Sequence, residues 1–171
     1  MPTYTTYGGT GVVVSADYKA VKWVGKTKGG KSVTIEMAKA INTSNIDWTF
    51  AEKDDLVASV TFEGVYSNTD NTSTDTTEPW SITLEEGAQA GAAGILLGAG
   101  IFYIGGTAVA LTRGGGQFVV EREYREINAD GDRGAVEGRV VMESARPKLT
   151  MNALTVLVRL ADLYPSIVTV L

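Results

Sequence analysis

Apolar and polar residues alternate with a period of two along much of the chain, the pattern of half-buried strands. Residues 56–66 set Leu56, Ala58, Val60, Phe62 and Tyr66 on one side. The longest predicted strand is 117–127. Phe118, Val120, Arg122, Tyr124 and Glu126 share one of its faces; Val119, Glu121, Glu123, Arg125 and Ile127 share the other. Neither face is wholly apolar, so the strand's own core covers it only in part. Shorter strands are predicted at 46–50, 136–143 and 148–152, and two buried ones near 94–104 and 107–112 meet at Gly105-Gly106. Helical spacing is scarce. It appears at 153–163, where Leu154, Leu157, Val158 and Ala161 line up before Pro165, and more weakly at 36–41. Residues 67–78 are polar and read as a loop. The expected fold is mostly β: two packed antiparallel sheets, a sandwich or barrel, with one short flanking α-helix.

A repeat runs through this pattern. Thr27-Lys28-Gly29-Gly30 precedes Val33-Thr34-Ile35-Glu36, and eighty-five residues later Thr112-Arg113-Gly114-Gly115 precedes Phe118-Val119-Val120-Glu121. The same offset carries Tyr18 onto Tyr103 and Val24 onto Val109. Each copy reads as a hairpin whose glycines supply a turn or bulge, and the offset of half the length suggests two similar half-domains.

Composition narrows the functions available. A chain of 171 residues is one domain that buries about 70% of its unfolded surface. Fifteen Lys and Arg against twenty Asp and Glu give a net charge of −5, opposite to the concentrated basic face of a duplex-DNA binder. There is no Cys and no His, which removes disulfides, thiolate zinc sites and Ser-His-Asp triads. The start, Met1-Pro2-Thr3-Tyr4, has no secretory pattern, and folding in a cytosol is expected. Residues 87–112 carry no charge over 26 positions, with Gly94 and Gly98 in G-x-x-x-G spacing. Seven glycines there favour two buried strands over a membrane helix.

Each chemical motif has a plainer reading that outweighs it. Asp130-Gly131-Asp132 lacks the remaining oxygen ligands of a calcium loop and reads as a turn. Gly114-Gly115-Gly116 is followed by a strand, not by a phosphate-binding Lys and a helix, and reads as a bulge or turn. Glu121 and Glu123 lie on one strand face but have no marked partner across a cleft, so a row of solvated or lumen-facing charges is favoured over glycosidase chemistry. Trp23, Trp48 and Trp80 are expected to anchor a core or interface rather than form a sugar platform. No catalytic residue, cofactor site or metal site emerges, and the chain is not expected to be an enzyme.

The residues do carry a family resemblance. Ile95-Leu96-Leu97-Gly98-Ala99-Gly100, Thr112-Arg113-Gly114-Gly115 and Val120-Glu121-Arg122-Glu123-Tyr124-Arg125-Glu126-Ile127 resemble the first half of a phage major tail protein, the subunit of the tail tube. The resemblance continues through Asp130-Gly131, Arg133-Gly134, Val136 and Gly138 to Lys148-Leu149-Thr150-Met151-Asn152-Ala153-Leu154. Asp17-Tyr18, Val24-Gly25-Lys26, Gly29-Gly30, Val33-Thr34-Ile35, Phe62 and Glu78-Pro79-Trp80-Ser81-Ile82 resemble the second half. The halves stand in reversed order: 1–84 matches the second, 94–171 the first, and Gly/Ala-rich 85–93 lies where old termini would join. The resemblance therefore suggests a circular permutant.

What it implies is structural. Such subunits form rings of six whose strands build an inner barrel, and the rings stack into a tube through which DNA passes without specific binding. The implied partners are other copies of the chain and other phage tail proteins, in a virion assembled in the bacterial cytoplasm, with no membrane. Glu121, Glu123 and Arg125 are the expected lumen-facing residues, with Arg125 pairing one of the glutamates. Asn128, Asp130, Gly131, Asp132 and Arg133 are the expected tip of a hairpin reaching the next ring. Two other classes fit the sequence: the ring protein of a contractile injection system, and a soluble β-sandwich binding module that uses the tryptophans.

Overall fold

A computed structural model describes residues 5–27, 29–48, 56–66, 78–85, 97–109, 112–130, 136–154 and 160–170. The strands are β1 (Thr6–Gly9), β2 (Lys19–Thr27), β3 (Ser32–Asn42), β4 (Ala58–Gly64), β5 (Ser81–Leu84), β6 (Leu97–Ile104), β7 (Thr107–Ala108), β8 (Thr112–Glu126), β9 (Val140–Ala153) and β10 (Ile167–Val170). One helical turn, α1 (Leu160–Leu163), and a 3₁₀ turn at Ser15–Asp17 complete the described elements. The mostly-β expectation, with antiparallel pairing and one short helix, holds. The arrangement differs from two separate packed sheets. Eight strands form one sheet in the order β7-β6-β2-β3-β4-β9-β8, with β5 also on β3, and this sheet is not closed into a barrel. β1 and β10 form a separate two-stranded ribbon.

β3 holds the sheet together because it has two successive neighbours on one edge. Residues 33–36 pair with β5 and residues 40–42 pair with β4, while β2 runs along the other edge. Between these parts the register slips: Val21 faces Met37 but Lys19 faces Ala40. The extra residue shifts the inward positions from Val33, Ile35 and Met37 to Ala40 and Asn42, all buried. The bulge and the twist that it adds fold the sheet over itself. Phe102 of β6 thereby reaches β8, four strand spacings beyond β2, where any Cβ at Gly116 would collide with its ring and with the Thr150 carbonyl. Val21, Met37, Val60, Phe62, Phe102, Ile104, Leu149 and Met151 fill the interior. Trp23 lies across the Cα atoms of Gly25 and Gly100, where any side chain would strike its indole.

Polar contacts fix the ends of the sheet. Asn42 Nδ2 donates to the Leu163 carbonyl (2.5 Å), and its Oδ1 accepts from the Ser44 N–H (2.7 Å). Lys19 Nζ meets Asp162 Oδ1 at 2.7 Å, so β2 and β3 both tie down α1.

Several boundaries correct the sequence reading. Residues 36–41 lie in β3, because Met37 and Ala40 are buried at strand positions on either side of the bulge. The helix expected over 153–163 shrinks to Leu160–Leu163; Ala153 closes β9, and 155–159 lie outside the described residues. Positions 46–48 are not a strand, and 49–50 are outside the described set. The strands expected at 136–143 and 148–152 are one, Val140–Ala153, which runs through Pro147. Proline is tolerated there because β4 ends its pairing at Glu63–Lys148, leaving β9 an edge on that side. The repeat is not a repeated hairpin. Residues 27–30 turn between β2 and β3, whereas 112–115 lie within β8, where the register shifts between Thr112 and Gly116 and Gly115 has φ +80°. The expected bulge at 114–116 is present. Of the uncharged stretch, the described 97–104 is a strand, and no described helix is long and apolar enough to cross a membrane.

Candidate functional site

β8 and β9 pair over nearly their whole length, but their surroundings change halfway along. From Thr112 to Val120 they belong to the body. Phe118 packs on the core and meets the Trp80 ring at 5.7 Å between centroids. Beyond Lys148, β4 pairs no further, and among the described residues β9 has only β8 paired beside it. Residues 121–126 and 140–143 are exposed on both faces, as are 127–130 and 136–139 toward the tip. This two-stranded arm is the candidate site. The outer edge of β8 pairs with nothing among the described residues.

The register sorts the arm's faces. Arg122 lies opposite Ala145, Tyr124 opposite Met142 and Glu126 opposite Val140, continuing the face on which Phe118, Ala145, Pro147 and Leu149 meet the body. Tyr124 is 56% exposed, and Val140, Val141 and Met142 are exposed too. The other face continues the polar side of β4 and β9. Thr61 and Thr150 share a hydroxyl hydrogen bond at 2.9 Å there, and Glu63 faces Lys148. Then come Glu121 opposite Arg146, Glu123 opposite Ser144 and Arg125 opposite Val141.

Glu121 and Glu123 lie on the face opposite Phe118, turned from the core, and Arg125 pairs with neither of them. Lys148 Nζ takes Glu121 at 2.7 Å, and Ser144 Oγ donates to Glu123 at 2.9 Å. Arg125 Nε meets Glu143 Oε1 at 2.5 Å instead. The cause is a second bulge: Glu123 faces Ser144 and Tyr124 faces Met142, which leaves Glu143 without a cross-strand partner and free to turn to Arg125. No spacing rule on β8 alone reveals a bulge on β9. Counting Glu63, Glu121, Glu123 and Glu143 against Arg125, Arg146 and Lys148, the polar face carries four carboxylates and three cations. It is only slightly acidic.

At the tip, Asn128 and Asp130 are exposed; Gly131, Asp132 and Arg133 lie outside the described residues. No group of His, Cys, Asp or Glu suited to a metal occurs among the described residues. Trp23, Trp48 and Trp80 are all half-buried against the core, as anchors should be. Glu85, the first residue of the suggested junction, is exposed; it accepts from the Ser32 N–H (2.8 Å) and Lys31 Nζ (2.9 Å), which hold its carboxyl below the usual value. Residues 86–93 lie outside the described set. No protein-family model, no curated protein and no solved structure matches the chain.

Proposed function

We propose that the chain is a structural, non-catalytic subunit that assembles with copies of itself into rings, six to a ring, stacked as a phage-tail-type tube that conducts DNA. The arm carries this reading. A two-stranded ribbon exposed on both faces is marginal in water and needs a covering partner. A long open edge such as that of β8 is a template for another strand. β6 offers a second edge, where the described residues engage Tyr103 and Ile104 through β7 and the Phe102 carbonyl through the Val109 N–H. Two unlike edges on one chain support head-to-tail association, which closes into a ring if the rotation allows. The mixed polar face suits a channel wall, because it presents no cation-rich track on which phosphates would displace counterions. The permuted order of the halves draws support from β1 and β10: Thr6 faces Val170, so a connection across 171 and 1 would join neighbours. The half-buried tryptophans weaken the binding-module reading.

Size-exclusion chromatography and negative-stain microscopy of purified protein, up to millimolar concentration and over varied salt, test the proposal. Rings or tubes are expected. A strictly monomeric species throughout overturns it.

A further inference from the structure

Val12, Val13 and Val14 are consecutive, β-branched and exposed, at 61%, 49% and 52%. Such residues are strand formers, and Val14 is extended, with φ −117° and ψ 165°. The segment is held at both ends without belonging to a strand. The Thr10 hydroxyl engages the Val12 N–H and carbonyl, the Val14 N–H donates to Asp17 Oδ2 at 2.8 Å, and the Val14 carbonyl accepts from the Asp17 N–H. In extended backbone, successive residues turn their N–H and C=O groups to opposite edges. Val12 and Val14 are engaged by these bonds, while Val13 between them makes no hydrogen bond among the described residues. The segment is thus exposed, pinned by local hydrogen bonds on either side of Val13, and outside every described strand.

We infer that this segment of one copy adds as an extra strand to the open β8 edge of the arm of a second copy. The inference rests on the self-assembly reading above and names the element that covers the arm. The chemistry points to a strand, since what β8 leaves unmet is a row of backbone N–H and C=O groups. A copy of this chain is the occupant because the chain carries both halves of the contact and leaves both exposed, so neither covers the other within one molecule. The segment has no charge from Thr10 to Ala16, which avoids like-charge opposition with Glu121, Glu123 and Glu126 of the arm. β2 and β8 run in the same sense through the sheet, and the valines lead into the start of β2 while the arm is the far end of β8. The contact joins unlike parts of two copies, and it propagates from copy to copy when it is made once per pair.

The chain has no cysteine, so single substitutions give clean crosslinks. A Val13→Cys variant, made heavier by a tag, is mixed with Glu123→Cys, Tyr124→Cys or Arg125→Cys and oxidised. At one of the three positions the mixed dimer is expected several-fold above either homodimer on a non-reducing gel. Predominant arm-to-arm homodimers overturn the inference, as does the absence of a mixed dimer in preparations that still form rings. If neither mixed dimer nor ring appears, the assembly reading falls with it. Separately, Val13→Pro removes the open N–H at an exposed site. It is expected to lower the population of stacked species at least tenfold with an unchanged thermal midpoint of the monomer; unchanged stacking overturns the inference.

Discussion

β8 and β9 are one pair of strands in two environments. In the body, Phe118, Leu149 and Met151 lie on the core, and β4 supplies a third strand. In the arm, Tyr124, Val140 and Met142 follow the same inward alternation and stay exposed. Residue type does not separate the halves. The change comes where β4 stops at Gly64, close under Pro147. The length of a neighbouring strand decides whether an apolar side chain is buried in the fold or stays exposed.

Substitutions in the body should therefore act on stability and those in the arm on assembly. The largest effect is expected for Phe102→Ala, which empties the contact between β6 and β8 and should cost about 3–5 kcal/mol in urea unfolding. Gly100→Ala pushes a methyl group into the Trp23 indole and should cost about 1–3 kcal/mol by the same measurement. If both were neutral, the folded-over body would be wrong.

Charge reversal on the polar face tests the arm's other side. Glu121→Lys with Glu123→Lys turns four carboxylates and three cations into two and five. Tubes of this variant should bind short DNA roughly tenfold tighter than the parent at low salt, with an affinity that drops as salt rises. Equal binding by parent and variant tubes would take these two residues off the channel wall. Tyr124→Ser with Met142→Ser should move monomer stability by only about 0.5 kcal/mol per site, as is usual for exposed positions, while reducing the assembled fraction seen by size exclusion.

The smallest effect concerns Glu85. Its carboxyl is held below its ordinary value of 4.5 by the Ser32 N–H and then by the Lys31 ammonium. A depressed folded value means the contribution is fully present above about pH 4.5 and is lost as pH falls through the lower, folded value. Glu85→Gln should flatten that part of the curve of unfolding midpoint against pH. An unchanged curve would mean that the clamp between β5 and β3 adds nothing.

The strand content and the orientation of 118–124 were legible because period-two patterning states which side chains share a face. The bulge at 114–116 was legible from its glycines, but two bulges without glycine were not. The one at Ala38 and Lys39 breaks the alternation of β3 and left 36–41 looking helical. The one at Glu143 redirected Arg125. The arm itself was only half legible: charge on both faces of 117–127 marked incomplete cover, but the end of β4 is a tertiary fact. Residues 12–14 have the composition of a strand, but the structure leaves them outside every described strand, held by the hydrogen bonds of Thr10 and Asp17.

The ribbon of β1 and β10 has a kinetic consequence. Thr10 bonds Ser166 across a separation of 156 residues, whereas β8 and β9 are joined through a short connection. Local hairpins close in about 1–10 microseconds, and long-range pairing is slower because loop entropy is lost before contacts repay it. During synthesis the arm can therefore form while β1 still waits for Ile167 to leave the ribosome. The exposed arm is ready first, and the ribbon, formed last, marks a chain that has been made through β10.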